Sequence, residues 1–196
     1  YIDSDVRVQS SNFADIPITV DDLESILCDI DEIDAFILNP LNAFDFPLET
    51  IDYLKSFEIP VFMSVQGLLR YPSDVVGEGT YSIALNLTID LKDKIRYIDG
   101  LFLDEAEASI LFEDDDFNVH EIIVTDGSRG SRVIADREYK ISPVKCDNVI
   151  DSTGCGDTFM AAYISKRLKN ESIVDSANFA SRLASEKLRF DEPIRL

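Results

Sequence analysis

Short apolar runs alternate along the chain with stretches in which apolar residues recur at helical spacing. Four runs are rich in β-branched and aromatic residues and nearly continuous in apolar character, as is typical of strands covered on both faces. They are Asp34–Leu38, Val61–Val65, Ile98–Leu103 and Glu121–Thr125. The segments between them are predicted helices: Val20–Ile30 after Thr19, Pro47–Phe57 with proline in its first turn, and Leu91–Tyr97. This alternation predicts an α/β fold, with a mostly parallel sheet and helices on both faces.

The C-terminal half changes character. Arg132–Ala135 and Glu138–Ile141 are predicted to form a hairpin, and helical periodicity then returns in Thr153–Lys169 and Ser172–Leu188. The acidic run Glu113–Asp116 is predicted to be a solvated loop. With 196 residues and no internal repeat, the chain is predicted to form one α/β domain over residues 1–196.

The composition argues against nucleic acid or a membrane as a partner and against a disulfide framework or a zinc site. The chain has 18 Lys and Arg against 38 Asp and Glu, for a net charge of −20, so its surface repels nucleic acid and anionic lipid. No apolar run approaches the ~18 residues of a membrane span. The cysteines Cys28, Cys146 and Cys155 form no CxxC pair, and His120 is the single histidine, which disfavours a disulfide framework or a zinc site. Free thiols predict a cytoplasmic protein.

Most of the chemical information lies in the nine residues Asp151–Phe159, which read DSTGCGDTF. Gly154 and Gly156 flank a small residue directly before an amphipathic helix, so backbone N–H groups can point at one spot with no side chain in the way. The helix start adds partial positive charge there, which would hold an anion even in an acidic protein. Asp157 lies beside this spot, where a carboxylate could accept the proton of an attacking hydroxyl. A GxG before a helix is, by itself, more typical of a tight turn with a capping Asp.

The nine-residue string resembles the C-terminal signature of the ribokinase/PfkB carbohydrate kinase family, D-[ST]-T-G-[AG]-G-D-x-F, with Cys155 where Ala or Gly is usual. The resemblance implies a ribokinase-like fold and ATP-dependent phosphorylation of a hydroxyl on a small molecule: a sugar, polyol or nucleoside. It also implies that Asp157 is the catalytic base and that the amides of Gly154, Cys155 and Gly156 form the anion hole. Ribose, fructose phosphates, inositol and nucleosides all suit this chemistry.

A second motif follows a predicted strand. Val124–Ser131 resembles the family's T-x-G-x-x-G stretch along the nucleotide phosphates, which implies ATP contacts from Thr125, Gly127 and Gly130. Taken alone, this stretch fits a Gly-rich hairpin turn equally well.

The third motif, Leu103–Glu107, resembles the family's N-x-x-E, which makes Glu107 the candidate carboxylate on the Mg²⁺ side, acting through water. Asp104 stands where asparagine is usual on the nucleotide side. A carboxylate there would repel a triphosphate unless a cation bridges the two. By itself, an acidic helix start is more typical of capping.

Three weaker matches complete the resemblance. Asp151 and Thr153 occupy positions that in some members help hold a monovalent cation such as K⁺. Ser181 falls where the family places small and polar residues against adenine. Ser64–Arg70 resembles a D-x-Q-G-x-x-R stretch, with Ser64 in place of the acidic residue.

The chain begins at Tyr1, and the family's upstream Gly-Gly motif, sugar-gripping acid and lid strands are absent from it, so we expect an N-terminal portion to be missing. Two hypotheses follow. One is a small-molecule kinase, with a homodimer as a possible assembly; the other is a catalytically weak nucleotide-binding domain with a regulatory role. No P-loop and no dinucleotide fingerprint follow the first strand, which argues against motor-type ATPases and dehydrogenases.

Overall fold

The computed structural model describes residues 10–12, 16–87, 91–96, 98–112 and 119–190. In chain order, the helices and strands in these ranges are β1 (Ser10–Ser11), α1 (Val20–Leu27), β2 (Phe36–Leu38), α2 (Leu48–Lys55), β3 (Val61–Ser64), β4 (Arg70–Gly77), β5 (Thr80–Leu85), α3 (Leu91–Ile95), β6 (Gly100–Asp104), α4 (Glu105–Leu111), β7 (Glu121–Thr125), β8 (Ser131–Ile134), β9 (Glu138–Ile141), α5 (Cys155–Arg167) and α6 (Ile173–Lys187). The loop predicted for Glu113–Asp116 and most of the N-terminal segment lie outside the described residues.

Six strands form the central sheet in the order β2-β3-β6-β7-β8-β9. The first four are parallel, and β7, β8 and β9 pair antiparallel. The prediction of a mostly parallel sheet and a terminal hairpin is therefore confirmed. In-register pairing places the carboxyl ends of the four parallel strands at one edge, at Leu38, Ser64, Asp104 and Thr125. Ligands of open α/β sheets bind at such an edge.

Two hydrophobic clusters cover the two faces of the sheet. One contains Met63 and Leu101 from the strands and side chains of α1, α2, α3 and α4. The other contains Phe62, Phe102 and Ile123 with side chains of α5 and α6. Because successive strand residues alternate between the clusters, the strands are apolar on both faces. The predicted helices on both faces are confirmed.

A second, three-stranded antiparallel sheet, in the order β1-β5-β4, lies outside the sequence prediction. Its hairpin, β4 with β5, is interrupted by irregular register between Pro72 and Gly77. Most of β4 is exposed, with Val75 at 72% of its accessible surface. Strand β4 carries no regular hydrophobic alternation that would mark it in the sequence, whereas in β5 Tyr81, Ile83 and Leu85 alternate with small or polar residues, a signal that the prediction did not use.

Helix α5 is joined to the amino end of β7 by a polar cluster beneath the second hydrophobic cluster. Tyr163 is fully buried, and its hydroxyl donates to Glu121 Oε2 at 2.7 Å. Arg167, one turn further along α5, donates from Nε to Glu121 Oε1 at 3.0 Å. The phenol and the carboxylate satisfy each other in a largely desolvated place, which stabilises α5 against the sheet and fixes the direction of its N-terminus.

Helix starts follow the sequence signals closely. Thr19 caps α1 by exchanging hydrogen bonds with Asp22, and Pro47 directly precedes α2. These two helices end two to three residues before their predicted limits, α1 at Leu27 and α2 at Lys55. In the described part of the chain, no helix combines the length and apolarity needed to cross a bilayer.

Candidate active site

The glycine-rich string forms the start of α5. Gly154 is the N-cap residue with φ 76° and ψ 5°, a left-handed conformation that glycine adopts without strain. A Cβ added to the backbone of either Gly154 or Gly156 would meet no atom within 4 Å, so the space above both is open. The Cys155 amide donates to the Ser152 carbonyl oxygen at 3.2 Å. The first-turn amides of Gly156 and Asp157 are therefore the ones best placed to face an anion.

Asp157 is the third residue of α5 and is exposed. Its Oδ1 accepts a hydrogen bond from Asn39 Nδ2 at 3.0 Å. Asn39 directly follows β2 at the carboxyl edge of the sheet. This bond, between residues 118 apart in sequence, connects the start of α5 to that edge. Sequence analysis missed Asn39, although a polar residue just after a buried strand is a signal for a ligand edge.

Asp104 and Glu107 form a capping box at the start of α4. The Asp104 amide donates to Glu107 Oε2 at 2.8 Å, and the Glu107 amide donates to Asp104 Oδ1 at 2.8 Å. Glu107 is only 5% exposed, and burial, with the nearby charge of Asp104, raises its pKa to about 7. Asp104 is exposed. The capping alternative is thus realised in the structure, and it uses one oxygen of each carboxylate.

Arg70 lies close enough to interact electrostatically with both Glu107 and Asp104, and its own burial lowers its pKa. It begins β4 after a tight turn at Gly67. A Cβ on Gly67 would lie 2.1 Å from the Pro40 carbonyl oxygen, so only glycine lets this turn pack against the loop after β2. The weak D-x-Q-G-x-x-R match therefore corresponds to a turn that delivers one guanidinium to the two carboxylates.

The T-x-G-x-x-G stretch is the connection between β7 and β8. Thr125 pairs with Asp104 across β6 and β7, and its Oγ1 donates to the Leu103 carbonyl oxygen at 3.4 Å. Gly127 has φ 51° and Gly130 has φ 107°. A Cβ on Gly130 would lie 2.3 Å from the Ile141 carbonyl oxygen. The stretch is a hairpin turn, as the alternative interpretation proposed, and it lies at the ligand edge beside Asp104.

The candidate cation residues precede α5, and the candidate adenine contact lies on α6. Asp151 Oδ1 accepts from the Thr153 amide at 3.0 Å and from Thr153 Oγ1 at 2.8 Å, so these two residues form one local turn. Ser181 is half-buried on α6 and shares no hydrogen bond with the other candidates within the described ranges. Cys155 Sγ lies 3.6 Å from the Ala184 carbonyl oxygen, which joins the glycine string to the same helix.

The structure thus brings Asp104, Glu107 and Thr125 together, and connects Asp157 to the same edge of the sheet through Asn39. Over the described residues, no group of three or more His, Cys, Asp or Glu side chains could hold a metal ion without other ligands. A cation at this edge would need oxygens from a bound phosphate, which is the way Mg²⁺ is usually held beside nucleotides.

Sequence comparison decides the family. The profile of the pfkB family of carbohydrate kinases matches residues 87–189, more than half of the chain. The chain belongs to this family. The matched residues include the three motifs carried by Asp104, Thr125 and Asp157, whereas Asn39 and Arg70 lie before them.

Individual pfkB relatives cover different parts of the chain. A nucleoside kinase of Methanocaldococcus jannaschii is 38% identical over 87 residues, which is 40% of this chain and 29% of the relative. A ribokinase of Bacillus subtilis is 26% identical over 153 residues, which is 72% of this chain and 45% of the relative. The chain spans less than half the length of these two curated relatives.

Solved structures show that the fold is ribokinase-like. A sulfate complex of a pyrophosphate-dependent kinase in the ribokinase family superimposes with a TM-score of 0.76 at 25% identity, over 91% of this chain and 63% of that one. A pyrophosphate-dependent kinase of the same family, complexed with a pyrophosphate analog and myo-inositol, gives 0.74 at 26% identity, over 92% and 65%. The predicted fold class is confirmed.

Proposed function

We propose that this chain is the nucleotide-binding and catalytic part of a kinase that transfers the γ-phosphoryl group of ATP to a hydroxyl of a sugar, polyol or nucleoside. The observation that carries the proposal is the position of Asp157. It lies in the first turn of α5, after the left-handed Gly154 and at the carboxyl edge of the sheet. In a pfkB family chain, this arrangement supports a base next to an anion site.

The chemistry follows from that position. An acceptor hydroxyl that gives its proton to Asp157 would form its new O–P bond with the transferred phosphorus, while the bond from that phosphorus to the leaving oxygen breaks. The amides at the start of α5 and the partial positive charge of the helix end would stabilise the negative charge on the phosphoryl oxygens. Gly154 and Gly156 leave the approach open, because neither carries a Cβ.

The residues present fit a cation cofactor. Asp104 and Glu107 each have one carboxylate oxygen in the capping box, which leaves the other for a hydrated Mg²⁺ held against phosphate oxygens. When bound, Mg²⁺ would neutralise charge on the phosphates. Asp151 and Thr153 offer oxygens for a monovalent cation such as K⁺. Thr125, Gly127, Gly130 and Ser181 are the proposed contacts for the nucleotide.

Pyrophosphate is a second candidate donor. Two similar solved structures, at 25% and 26% identity, are those of pyrophosphate-dependent kinases. The two donors share a diphosphate, and ATP has in addition a further phosphate and adenosine, whose base only Ser181 is proposed to contact. A donor screen with ATP and pyrophosphate, against a panel of sugars, inositols and nucleosides, would separate them by measuring phosphorylated product.

The deciding experiment compares Asp157→Asn with Asp175→Asn in the complete protein. Asp175 is the third residue of α6, as Asp157 is of α5, and both are exposed, so the two substitutions remove the same charge from equivalent helix positions. We expect Asp157→Asn to lower turnover by roughly 10²–10⁴-fold, the usual contribution of a positioned base, with donor affinity near normal. Asp175→Asn should retain turnover. Equal turnover in both variants would refute the base, and absence of turnover in the complete wild-type protein would favour the catalytically weak domain.

A further inference from the structure

The acid at the third position of α5 has a different kind of partner from the acids at the same position of α1, α4 and α6. In α1 and α4, the acid at the third helical position turns back to its own cap: Asp22 Oδ2 accepts from the Thr19 amide at 2.9 Å, and Glu107 Oε2 from the Asp104 amide at 2.8 Å. In α6, Asp175 accepts from the Ser172 hydroxyl at 2.7 Å. Asp157 occupies the same position of α5, but its carboxylate accepts from Asn39 instead.

This exception has two structural causes. The cap residue of α5 is Gly154, which has no side chain to exchange with Asp157 and whose left-handed backbone departs from the extended caps of α1 and α4. Asn39 then supplies a donor from outside the helix, 3.0 Å from Asp157 Oδ1. The amide nitrogen of Asn39 must face Asp157, because an ionised carboxylate only accepts hydrogen bonds. Among the described residues nothing donates to the second oxygen, Oδ2.

The loop that carries Asn39 is held rigidly. Within it, Asp45 Oδ2 accepts from the Leu41 amide at 2.6 Å and from the Asn42 amide at 3.1 Å. From α3, the ammonium group of Lys94, which is only 8% exposed, donates to the Ala43 carbonyl oxygen at 3.1 Å.

The same loop is braced from the other side. The turn after β3 packs at Gly67 directly against the Pro40 carbonyl. An exposed side chain on a loop braced from two sides has a defined position, which a mobile surface amide would lack.

We propose that Asn39 is a positioning residue for Asp157. It holds Oδ1, keeps the carboxylate from turning back onto the start of its own helix, and leaves Oδ2 directed to the acceptor hydroxyl. This inference rests on the proposed role of Asp157 as the base. Misplacement of a reacting group by about 1 Å can lower a rate by about 10²-fold, so a single donor that fixes the base has a measurable effect.

The test is Asn39→Asp, which keeps the shape of the side chain, removes the donor and brings a second negative charge to Asp157. We expect kcat to fall by roughly 10–100-fold while KM for both substrates stays within about threefold. Asn39→Ala should lower kcat as well, but less, because it adds no repulsion. Asn170→Asp adds the same charge at an exposed position beyond the C-terminal end of α5, the opposite end of that helix from Asp157, and should leave kcat unchanged.

The double variant Asn39→Ala with Asp157→Asn separates positioning from structural support. A positioning residue has no effect once the base is gone, so the double variant should match Asp157→Asn alone. A readout that does not depend on activity is the side-chain amide ¹⁵N–¹H signal of Asn39. It should move in Asp157→Ala and stay in place in Asp175→Asn.

The outcomes distinguish the positioning role of Asn39 from the proposed role of Asp157 as the base. If Asp157→Asn loses turnover while Asn39→Asp stays within twofold of wild type, the inference about Asn39 is overturned and the base stands. A raised KM with unchanged kcat would make Asn39 a substrate contact and likewise overturn it, as would an Asn39 amide signal that ignores Asp157→Ala. Full turnover in Asp157→Asn would overturn the base, and the positioning role with it.

Discussion

Replacing Gly156 with alanine should make the protein more stable and less active. Gly156 is the second residue of α5, its φ lies outside the left-handed region, and an added Cβ would meet no atom within 4 Å. Alanine is favoured over glycine in a helix by about 0.5–1 kcal/mol, because it has less backbone freedom to lose on folding. For a chain of this length, that gain raises the melting temperature by about 1–4 °C.

Activity should change in the opposite direction. If an anion approaches the amides at the start of α5, the new methyl group occupies the open space through which it comes. We expect phosphoryl transfer to fall by on the order of 10²–10³-fold, comparable with the loss of one donor of an oxyanion hole. Calorimetric melting and product formation, measured on the same preparation, give both quantities.

The two residues before Gly156 provide the controls. Gly154→Ala meets no atom either, but it forces alanine into a left-handed conformation and should cost about 1–2 kcal/mol of stability. Cys155→Ala removes only a thiol 3.6 Å from the Ala184 carbonyl oxygen and should keep turnover within about twofold. Wild-type activity in a stabilised Gly156→Ala would refute the anion site and leave the string as an ordinary turn.

Two predictions concern residues around this site. The pKa of Glu107, raised to about 7 from 4.5, means that the folded protein keeps a proton that the unfolded chain releases, so stability should fall between pH 4.5 and 7. The free energy of unfolding should fall by on the order of 2–4 kcal/mol, and this fall should be absent in Glu107→Gln. Urea unfolding without Mg²⁺ at pH 5 and pH 8 measures it in both proteins. Equal pH dependence in the two proteins would contradict the prediction. Gly67→Ala should cost at least about 2 kcal/mol, because its Cβ would lie 2.1 Å from the Pro40 carbonyl oxygen. Gly77→Ala, whose Cβ would meet only the Thr80 side chain at 3.7 Å, is the control, and equal melting temperatures would refute the packing argument.

The central sheet could be predicted because it is buried on both faces. Strands such as β3 and β7 must be apolar at almost every position, and that demand is visible in sequence. The hairpin of β4 and β5 escaped prediction because β4 is mostly exposed, β5 is only half-buried, and Pro72 disfavours a strand assignment. Pattern analysis detects burial, so elements that are held mainly by backbone pairing escape it.

The candidate site also contains residues that the sequence reveals and a contact that it does not. The glycine string and its Asp157 could be recognised because local backbone geometry restricts which residues can stand there. The position of Asn39 directly after a buried strand was a signal for the ligand edge, but its pairing with Asp157 could not be recognised, because that contact spans 118 residues and exists only once β2 has taken its place at the edge of the sheet. A motif of adjacent residues can be recognised in the sequence, whereas a contact between distant side chains depends on the topology of the fold.

The position of Arg70 in the fold changes the interpretation of Asp104, a residue that the sequence did single out. Asp104, standing where the family usually has asparagine, implies added repulsion toward a polyphosphate. In the fold, however, a guanidinium lies within electrostatic reach of both Asp104 and Glu107. Glu107, with its pKa near 7, is moreover only partly ionised at neutral pH. One positive charge thus lies near the Asp104 and Glu107 carboxylates, and this pair is less anionic than its two residue types alone suggest. The substitution at Asp104 is compatible with a phosphate ligand because the turn at Gly67 brings Arg70 to it.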